Sequence, residues 1–324
     1  MSGILDRLDE LYAIAQYRAG YSPEEDAAHD LAARWMAEAG LEVSRDHAGN
    51  LFGRRGGAEV WCGSHLDSVP TAGRFDGALG VVAAIEAAGR LPEASLAVVA
   101  FRAEEAGPMG SRRLESLPQA FLELHIEQGP VLARLGEPLG IVTAIAGQAR
   151  GSVTFTGRAD HAGTTPIDAR EDALVAAARF VLHVRDCARD GAVATVGAVE
   201  VEPNATNVVP ARVTVSVDAR APDTAALAAL VDAIGFEPDW RLDPVAMSGA
   251  PFDALRAAVP AAPELVSGAG HDAMVLAAAG VRTAMLFVRS LNGGISHHPD
   301  ELSSEDDIAL AVDALTATLA RLTR

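Results

Sequence analysis

Residues 59–67 read EVWCGSHLD and residues 95–105 read SLAVVAFRAEE. In each stretch a short apolar run, Glu59–Gly63 or Ser95–Phe101, predicts a buried strand that ends directly in residues able to ionise. Between them Gly77–Arg90 is rich in small apolar residues and predicts a helix. Strand, helix and strand in this order indicate a parallel α/β sheet.

The same alternation continues on both sides of this unit. Asp26–Gly40 has helical periodicity, Leu41–Arg54 predicts a hairpin that turns near Gly49-Asn50, and Phe121–Ile126 predicts another strand. We therefore predict an α/β fold with helices on both faces of its sheet. In such sheets ligands bind beyond the carboxyl ends of the strands.

The pattern changes after Gly147. The next predicted elements are a half-exposed strand, a long helix, two strands and a helix: Arg150–Gly157, Asp168–Cys187, Ala192–Val201, Val208–Ala219 and Asp223–Ile234. This order is typical of a compact α+β module with an antiparallel sheet.

The first pattern resumes from about Pro251. It contains a helix, a strand at Thr283–Val288 and a final helix, for which Ser303 and Ser304 are candidate N-caps. We therefore predict one α/β domain formed by residues 1–147 and 248–324. Residues 148–247 would form an α+β domain inserted into it.

Composition excludes several classes of protein. The 324 residues include 26 basic and 44 acidic side chains, for a net charge of -18, and 49% are hydrophobic. All the basic residues are Arg. So large an apolar fraction argues against a disordered chain, and the negative charge argues against a nucleic-acid partner, because phosphate backbones repel it.

Neither a targeting segment nor a membrane span is expected. Met1–Glu10 mixes charged and apolar residues, and no apolar run approaches the roughly 20 residues of a membrane helix. Cys62 and Cys187 are too few for a disulfide framework and suit a reducing compartment. We predict a cytoplasmic protein with no membrane partner.

Residues able to bind a metal or transfer a proton recur near the ends of the predicted strands. They are His65, Asp67, Asp76, Glu104, Glu105, His125 and His297. Each fragment alone is a weak signal, because a His beside an acid is more often structural and paired Glu residues are usually solvated. Together, imidazole and carboxylate groups at one sheet edge favour Zn²⁺, with Mn²⁺, Co²⁺ or Ni²⁺ as alternatives.

The adjacent Glu104 and Glu105 suit a two-metal hydrolase. Two metals roughly 3.5–4 Å apart can share and activate a hydroxide, and they need a bridging carboxylate. A further carboxylate, not bound to metal, must take the proton of the water and pass it to the leaving nitrogen. Neighbouring side chains at a strand end can diverge, one to the metal and one to the water.

The chain resembles the zinc-dependent aminoacylase/carboxypeptidase superfamily. Within it, the chain is most similar to the branch of N-carbamoyl-L-amino-acid hydrolases, allantoate amidohydrolases and β-ureidopropionases. The matching segments run in family order: GSHLDS (63–68), GRFDGALG (73–80), AEEAG (103–107), ELHIEQGP (123–130), DHAGTTP (160–166), NVVP (207–210), SGAGHDA (267–273) and NGGISHHPDE (292–301). ELHIEQGP and DHAGTTP are highly specific to this branch.

The resemblance implies the ligands of two divalent ions, with Zn²⁺ expected first. Asp76 would bridge the ions, His65 and His125 would complete one site, and Glu105 and His297 would complete the other. It also implies a mixed-sheet α/β/α metallohydrolase domain with an inserted lid and dimerisation domain. A homodimer through the inserted domain is therefore expected, and some substrate contacts would come from the partner subunit.

The resemblance also implies the residues of catalysis and substrate binding. Glu104 would be the general base and acid, His161 would stabilise the oxyanion, and Asp67 would orient His65. The substrate would be held by Gln128, Asn207, Arg220 and backbone groups of Gly270. Arg220 would pair with the substrate carboxylate through a bidentate fork. His271, in the same segment as Gly270, would either touch the substrate or cap the next helix.

The implied reaction is hydrolysis of a linear amide or ureido C–N bond. N-carbamoyl-L-amino acids are the first expected substrates and allantoate is the second. The alternatives are an aminoacylase or dipeptidase with the same metals and base, or a metal-binding relative without turnover. Only Ala106–Leu124 separates Glu105 from His125, where relatives carry a longer segment. We expect this shortening to affect substrate choice.

Overall fold

The computed structural model describes residues 3–189 and 191–324. The chain divides into two compact units: the residues up to Ile145 together with Ala246–Arg324, and the inserted segment Ala146–Val245. The first unit combines a mixed sheet with packed helices, so the predicted α/β fold class is confirmed. Across the described residues, no helix has the length and apolar composition that spanning a bilayer requires.

The elements follow one another in three stretches. The first contains α1 (Ile4–Ile14), α2 (Pro23–Glu38), β1 (Glu42–Arg45), β2 (Leu51–Arg55), β3 (Val60–His65), α3 (Ala78–Arg90), β4 (Leu96–Phe101), β5 (Ala120–Ile126), α4 (Val131–Leu135) and β6 (Leu139–Ile145), with a 3₁₀ turn at Ser111–Arg113. The second contains β7 (Gly147–Thr156), β8 (Asp160–His161), α5 (Ala173–Cys187), β9 (Val193–Thr195), β10 (Val199–Glu202), β11 (Val208–Val209), β12 (Arg212–Ala221), α6 (Thr224–Ile234), β13 (Trp240–Leu242) and β14 (Val245–Ala246), with a 3₁₀ turn at Ile167–Ala169. The third contains α7 (Ala250–Ala258), β15 (Glu264–Ser267), α8 (Asp272–Ala278), β16 (Arg282–Val288) and α9 (Glu305–Leu322), with a 3₁₀ turn at Asn292–Gly294.

Four parallel strands occupy the centre of the sheet in the first unit. The strand order is β1-β2-β4-β3-β5-β16-β6, with β15 beside β6. Neighbours in the series β4-β3-β5-β16 are parallel, whereas β1–β2, β2–β4 and β16–β6 are antiparallel. The carboxyl ends of the four central strands therefore meet at one edge, where ligands of α/β proteins bind.

The central strands are buried along their whole length. Every residue of β3, β4 and β5 is buried, as expected for a sheet that is covered on both faces. Helix α3 packs closely on this sheet because its residues are small. A Cβ at Gly80 would stand 2.3 Å from the carbonyl oxygen of Leu124, so only glycine allows the helix to approach β5 this closely.

The inserted unit has an antiparallel sheet covered by two helices. Its order is β10-β12-β7-β13, with β9 also paired to β12. Buried residues alternate along β12 and pack with apolar residues of α5 and α6. Asp172 and Asp223 cap the two helices by accepting backbone N–H groups of the first turns.

Several predicted elements of the inserted unit have different bounds, and the strand predicted from Arg150 begins earlier, at Gly147. The helix predicted from Asp168 begins at Ala173, because Asp172 is its N-cap. The strand predicted over Val208–Ala219 is two strands, since Pro210 has no N–H to continue the ladder. The strand predicted over Ala192–Val201 is also interrupted, and Ala198 N–H donates to Ser216 Oγ there at 2.9 Å.

The N-cap of α9 is Ser304, whose hydroxyl accepts the Asp307 N–H at 3.1 Å. Ser303, the other candidate, instead donates its hydroxyl to the Arg289 carbonyl at 2.8 Å. The acidic first turn of α9, which includes Glu305 and Asp306, complements the positive end of the helix dipole.

Candidate metal centre

The candidate ligands gather at the carboxyl edge of the four parallel strands. His65 is the last residue of β3, and His125 is the last but one of β5. Glu104 and Glu105 lie in the loop after β4, which ends at Phe101, and His297 lies in the loop after β16. Residues that are distant in the sequence become neighbours because their strands are adjacent and parallel.

Asp76, just before α3, lies between two groups of candidate ligands. One of its carboxylate oxygens, Oδ1, is 3.1 Å from His125 Nε2 and 3.7 Å from His65 Nε2. The other, Oδ2, is 3.3 Å from His297 Nε2, which is 3.7 Å from Glu105 Oε1. In each group, one with His65 and His125 and one with Glu105 and His297, the candidate ligand atoms lie within 4.8 Å of one another.

The two buried imidazoles are oriented through Nδ1. His65 Nδ1 lies 3.2 Å from Asp67 Oδ1, and His125 Nδ1 lies 3.0 Å from the Ile126 carbonyl oxygen. These acceptors favour a proton on Nδ1 and turn the Nε2 atom of each ring toward Asp76. The Asp67 carboxylate therefore lies beside the His65 ring, and its role in orienting that ring stays a prediction.

Gly77 makes room for the His65 ring. Its φ is +63°, and a Cβ there would lie 2.4 Å from His65 Cε1. A larger residue would be strained by the left-handed backbone and would also displace the imidazole. Gly77, the second of the three glycines in GRFDGALG, is therefore explained by its close contact with the His65 ring.

Other carboxylates hold the backbone of the candidate residues. Asp67 Oδ1 and Oδ2 accept the N–H groups of Glu104 and Glu105, each at 3.0 Å. Glu301 Oε1 accepts the N–H groups of Phe75 at 2.9 Å and Asp76 at 3.0 Å. The loops that carry Asp76, Glu104 and Glu105 are therefore fixed by charge-assisted hydrogen bonds.

Left-handed backbone at residues other than glycine is concentrated around this site. Ala103, Gln128 and His297 have φ values of 51°, 55° and 56°. Such conformations cost about 1–2 kcal/mol each and persist only where surrounding contacts enforce them. Ala103 directly precedes Glu104, and Gln128 and His297 are themselves candidate site residues.

Gln128, a predicted substrate contact, lies against the bridging carboxylate. Its Nε2 donates to Asp76 Oδ2 at 2.8 Å and to Ser296 Oγ at 3.3 Å. Its backbone N–H donates to Ser290 Oγ at 3.1 Å. The side chain is thus close to the candidate ligands, and its role toward a substrate stays a prediction.

The electrostatics of the cluster favour positive charge beside Asp76. Burial alone would raise the pKa of Asp76, but the adjacent imidazoles of His125 and His297 hold it well below its usual value. Burial lowers the pKa of His65, but Asp67 and Glu104 outweigh it, and the net shift is well upward.

Glu104 and Glu105 are shifted in the opposite sense to Asp76. Burial raises the pKa of Glu104 well above its usual value, with His65 opposing and Asp272 reinforcing the shift. Burial, reinforced by the Asp76 carboxylate, raises the pKa of Glu105 to about 6. The cluster therefore contains more buried carboxylate than its own cations stabilise.

The residues fit a pair of divalent ions. His125 Nε2 and Glu105 Oε1 are buried and make no hydrogen bond, although each has an oppositely charged candidate group nearby. An unsatisfied buried polar atom costs about 1–3 kcal/mol, and coordination of a cation would remove that cost. The imidazole nitrogens and carboxylate oxygens are the donor set that Zn²⁺, Mn²⁺, Co²⁺ and Ni²⁺ accept.

In the inserted unit, His161 and Asn207 are neighbours. His161 pairs with Val208 across the β8–β11 ladder, and the Ala162 N–H donates to the Asn207 carbonyl at 3.0 Å. His161 Nδ1 accepts the N–H groups of Gly163 at 3.0 Å and Thr164 at 3.2 Å. Because Nδ1 accepts these bonds, the ring proton lies on Nε2, which can donate to an oxyanion.

Arg220, also in the inserted unit, is oriented by Asp218. Arg220 Nε and Nη2 donate to Asp218 Oδ1 at 2.9 Å and Oδ2 at 3.0 Å, which is a bidentate pair. Arg150 Nε donates to the same Oδ2 at 2.9 Å. The planar fork is thus fixed in direction by the acid two residues before it.

Gly270 and His271 differ in surroundings. A Cβ at Gly270 would meet nothing within 4 Å, so the space beside it is open. His271 occupies the N-cap position of α8, but its side chain makes no capping bond. Instead, its Nε2 lies 2.8 Å from Ser267 Oγ and its ring centroid lies 4.6 Å from that of His125. The side chain therefore contacts residues around the site and does not cap the helix.

Sequence reasoning assigned no role to three buried glutamates, Glu25, Glu123 and Glu301. Glu123 Oε1 accepts the Ser64 hydroxyl at 2.7 Å, and its Oε2 accepts the Ala273 N–H at 2.8 Å. Glu123 and Glu301 lie in segments that match the family, and that position could have indicated a role near the site. Glu25 lies outside those segments and has only the capping spacing Ser22-x-x-Glu25.

Comparisons with known proteins identify the family of the chain. A model of peptidase family M20/M25/M40 matches residues 61–321. The chain is 34% identical over 385 aligned positions to an N-carbamoyl-L-amino-acid amidohydrolase of Paenarthrobacter aurescens, covering 95% of this chain and 93% of that protein. It is 34% identical to an allantoate amidohydrolase of Escherichia coli (strain K12), covering 93% of this chain and 92% of that protein.

A solved structure has the same fold over nearly the whole chain. It is an amidase of the hydantoinase/carbamoylase family from Burkholderia multivorans, with a TM-score of 0.88 at 32% identity. The match covers 99% of this chain and 97% of that one. Because the 385 positions aligned with the Paenarthrobacter protein exceed the 324 residues here, that relative carries segments that this chain lacks.

Proposed function

The chain belongs to peptidase family M20/M25/M40, and on that premise we propose that it hydrolyses the ureido C–N bond of N-carbamoyl-L-amino acids. Allantoate is the second candidate substrate. The resemblance read from the motifs is confirmed, and the chain is an amidohydrolase. The substrate, the metal and the role of each residue are proposals.

The position of the Asp76 carboxylate is the chief support for this proposal. The two carboxylate oxygens of Asp76 face different groups of candidate ligands, and Glu104 Oε2 lies 3.8 Å from His65 Nε2, beside one of them. A carboxylate between two ligand sets, with a second carboxylate next to it, is the arrangement that hydrolysis by two metals requires. Bound ions, Zn²⁺ first, would polarise the scissile carbonyl and lower the pKa of water.

Glu104 is assigned the proton transfers. It would accept a proton from the attacking water and deliver it to the nitrogen that leaves. A raised pKa suits this double role, because a carboxylate with a pKa nearer neutrality is a better base and its acid form still donates. With one water, an N-carbamoyl amino acid yields the amino acid, CO₂ and ammonia.

The substrate contacts are assigned to residues of both units. Arg220 would bind the substrate carboxylate, His161 would donate to the oxyanion, and Asn207 would hold polar groups of the substrate. The bidentate bond from Arg220 to Asp218 supports this, because it sets the plane of the guanidinium in advance. In the first unit, Gln128 and backbone groups of Gly270, beside which the space is open, are assigned as further substrate contacts.

A homodimer through the inserted unit is also proposed. Leu174, Val175 and Leu182 of α5 and Val199 of β10 are large apolar residues that are exposed in the isolated chain. Clusters of this kind commonly mark protein interfaces. Sedimentation of the protein at two concentrations, with Leu182→Glu as the comparison, would show a dimer that the substitution weakens. The cytoplasmic location stays a prediction.

The function is tested by assaying the purified protein after metal removal and after addition of Zn²⁺, Mn²⁺, Co²⁺ or Ni²⁺. The panel contains N-carbamoyl-L-amino acids, their D-isomers, allantoate, N-acetyl-amino acids and dipeptides. We expect metal-dependent ammonia release from the L-carbamoyl compounds. Faster cleavage of acetyl compounds or dipeptides would identify an aminoacylase or dipeptidase instead. No ammonia or amine release from any compound would contradict the proposal.

A further inference from the structure

Two buried carboxylates bind three successive backbone N–H groups at the loop that carries Glu104. Glu25 Oε1 accepts the Ala103 N–H at 2.9 Å. Asp67 accepts the next two, from Glu104 and Glu105, each at 3.0 Å. A left-handed residue makes successive N–H groups converge on one side of the chain, and such concavities bind anions. Here the protein itself supplies both carboxyl groups.

Glu25 stabilises two residues in left-handed conformation. Its carboxylate accepts the N–H groups of Tyr21 and Ala103, whose φ values are 62° and 51°. Neither residue is glycine, so each conformation costs about 1–2 kcal/mol unless contacts offset it. A capping role alone would account for the bond near the start of α2 and not for the bond to Ala103.

The surroundings of Glu25 fix its position. Its side chain is fully buried, and its Oε2 lies 2.9 Å from Arg102 Nε. Arg102 in turn donates to Asp26 Oδ1 at 2.6 Å, and its backbone N–H donates to Asn50 Oδ1 at 3.0 Å. The residue before Ala103 is thus held through its backbone and its side chain.

Gly20 closes the other side of the Ala103 peptide. A Cβ at Gly20 would lie 2.3 Å from Ala103 Cβ and 2.9 Å from its Cα. Non-bonded heavy atoms cannot lie this close together, so a side chain at residue 20 would have to displace Ala103. The Ala103 backbone is therefore confined between Gly20 and Glu25. The residue that follows this confined peptide is Glu104.

We propose that Glu25 is a positioning residue that sets the direction of Glu104 by holding the left-handed Ala103 peptide. Without Glu25, Asp67 would still accept the Glu104 and Glu105 N–H groups, so the candidate metal ligands would stay in place. The Glu104 side chain would nevertheless lose its alignment, because the Ala103 peptide before it is no longer held. Errors of about 1 Å in such alignment can lower turnover 10²-fold. The proposal rests on the proposed function to the extent that Glu104 transfers the proton.

The first test compares Glu25→Gln with Glu24→Gln, which makes the same change of charge at an exposed neighbour in the same helical turn. A Gln side chain has only one acceptor oxygen. It cannot accept the Ala103 N–H and also replace the oxygen that faces the Tyr21 N–H and Arg102, so one of these contacts is lost. We expect kcat to fall about 10- to 100-fold in Glu25→Gln, with KM within about threefold and the metal content unchanged. Glu24→Gln should match the wild type.

The second test moves the Ala103 peptide from its other side and leaves Glu25 intact. Gly20→Ala should lower kcat and retain metal, whereas Gly89→Ala adds a methyl group at an ordinary contact distance of 3.9 Å and should have no effect. If Gly20→Ala keeps kcat within about twofold of wild type, the proposal is wrong, even if Glu25→Gln does not fold. A loss of kcat in Glu25→Gln that comes with loss of metal would also overturn it.

A measurement without substrate separates this proposal from the proposed function. Hydrogen exchange of the peptide covering residues 102–110 should be faster in Glu25→Gln than in wild type and Glu24→Gln. Unchanged exchange would contradict the positioning role. A wild-type protein that hydrolyses none of the panel would contradict the proposed function and leave the exchange result to stand alone.

Discussion

The candidate metal ligands and the candidate substrate contacts of the inserted unit lie in contrasting surroundings. His65, Asp76 and His125 are 2%, 4% and 1% exposed. His161 and Asn207 are exposed, and Arg220 is half-buried. The first set is fixed by other carboxylates, which bind the Glu104 and Asp76 backbones, whereas the second set relies on its own strands and on single side-chain pairs.

The buried and exposed sets differ because metal coordination and substrate binding place different demands on a side chain. Proton transfer and metal coordination depend on geometry to a fraction of an ångström, and low exposure strengthens every charge interaction involved. Substrate contacts must instead be reachable from solvent before binding. We therefore expect substitutions in the buried set to act on metal content and kcat, and substitutions in the exposed set to act on substrate affinity.

The largest effect is expected for Asp76→Asn. Loss of the carboxylate that the two groups share should release both ions and reduce turnover to background, because the His65 group then has no carboxylate and the His297 group has only Glu105. Metal content measured with turnover checks this. Asp300→Asn, the same change on the loop that carries His297, is the control and should keep both. Retention of two ions by Asp76→Asn would contradict a bridging role.

The two groups around Asp76 should also differ from each other. His65 is 2% exposed and His297 is 49% exposed, so water competes for the second group far more readily. We expect His297→Ala to keep about one ion per chain and His65→Ala to lose the ion of the buried group. In the wild type a chelator should remove the ions in two phases, with affinities about 10- to 100-fold apart. His298→Ala, at the neighbouring exposed imidazole, is the control. One-phase release would break this distinction.

Arg220→Ala tests the exposed set. Loss of a charged hydrogen-bonding partner should cost about 1.5–3 kcal/mol, which lowers kcat/KM about 10- to 100-fold, chiefly through KM. Arg150→Ala is the matched control, because Arg150 binds the same Asp218 oxygen and has no assigned substrate role. Equal effects of the two substitutions, or an effect of Arg220→Ala on kcat alone, would contradict the assignment.

The last expected effect is on stability and concerns Glu25. Burial raises the pKa of Glu25 to about 7, although Ala103, Tyr21 and Arg102 oppose the shift. The pKa of the folded state is above that of the unfolded state, so this stability is complete below about pH 4.5 and is lost as the pH rises through about 7.

Denaturation at pH 5 and pH 8 checks this sign. Wild type should lose up to about 3 kcal/mol more than Glu25→Gln between these values. Arg102, Asp67, Arg18 and His29 also face Glu25, and the comparison holds all four constant. A variant with the same pH dependence as wild type would show that Glu25 does not titrate there.

Much of the fold could be predicted because apolar runs end abruptly at charged residues. The ends of β3 and β4, at His65 and before Glu104, were visible in this way. Sequence reasoning assigned no element to α1, β6 or β15. The strands β6 and β15 begin directly after Pro138 and Pro263, and α1 has charged residues among its apolar ones. Tertiary packing decides such segments, since local pattern is weak.

The site was less accessible to sequence reasoning than the strands. The matching segments pointed to Asp76 and His297, but their side-chain distance follows from the parallel neighbours β3, β5 and β16. The bonds of Glu301 to the Asp76 backbone and of Glu25 to the Ala103 backbone have no local pattern. They join distant segments through N–H groups that every residue carries.

The metal content and ammonia release of Glu104→Gln, measured beside wild type on N-carbamoyl-L-amino acids, show whether Glu104 transfers the proton. If Glu104 transfers the proton and does not bind metal, the variant will hold as many ions as wild type and turn over at least about 100-fold more slowly. Turnover equal to wild type, or loss of the ions together with activity, would contradict the account.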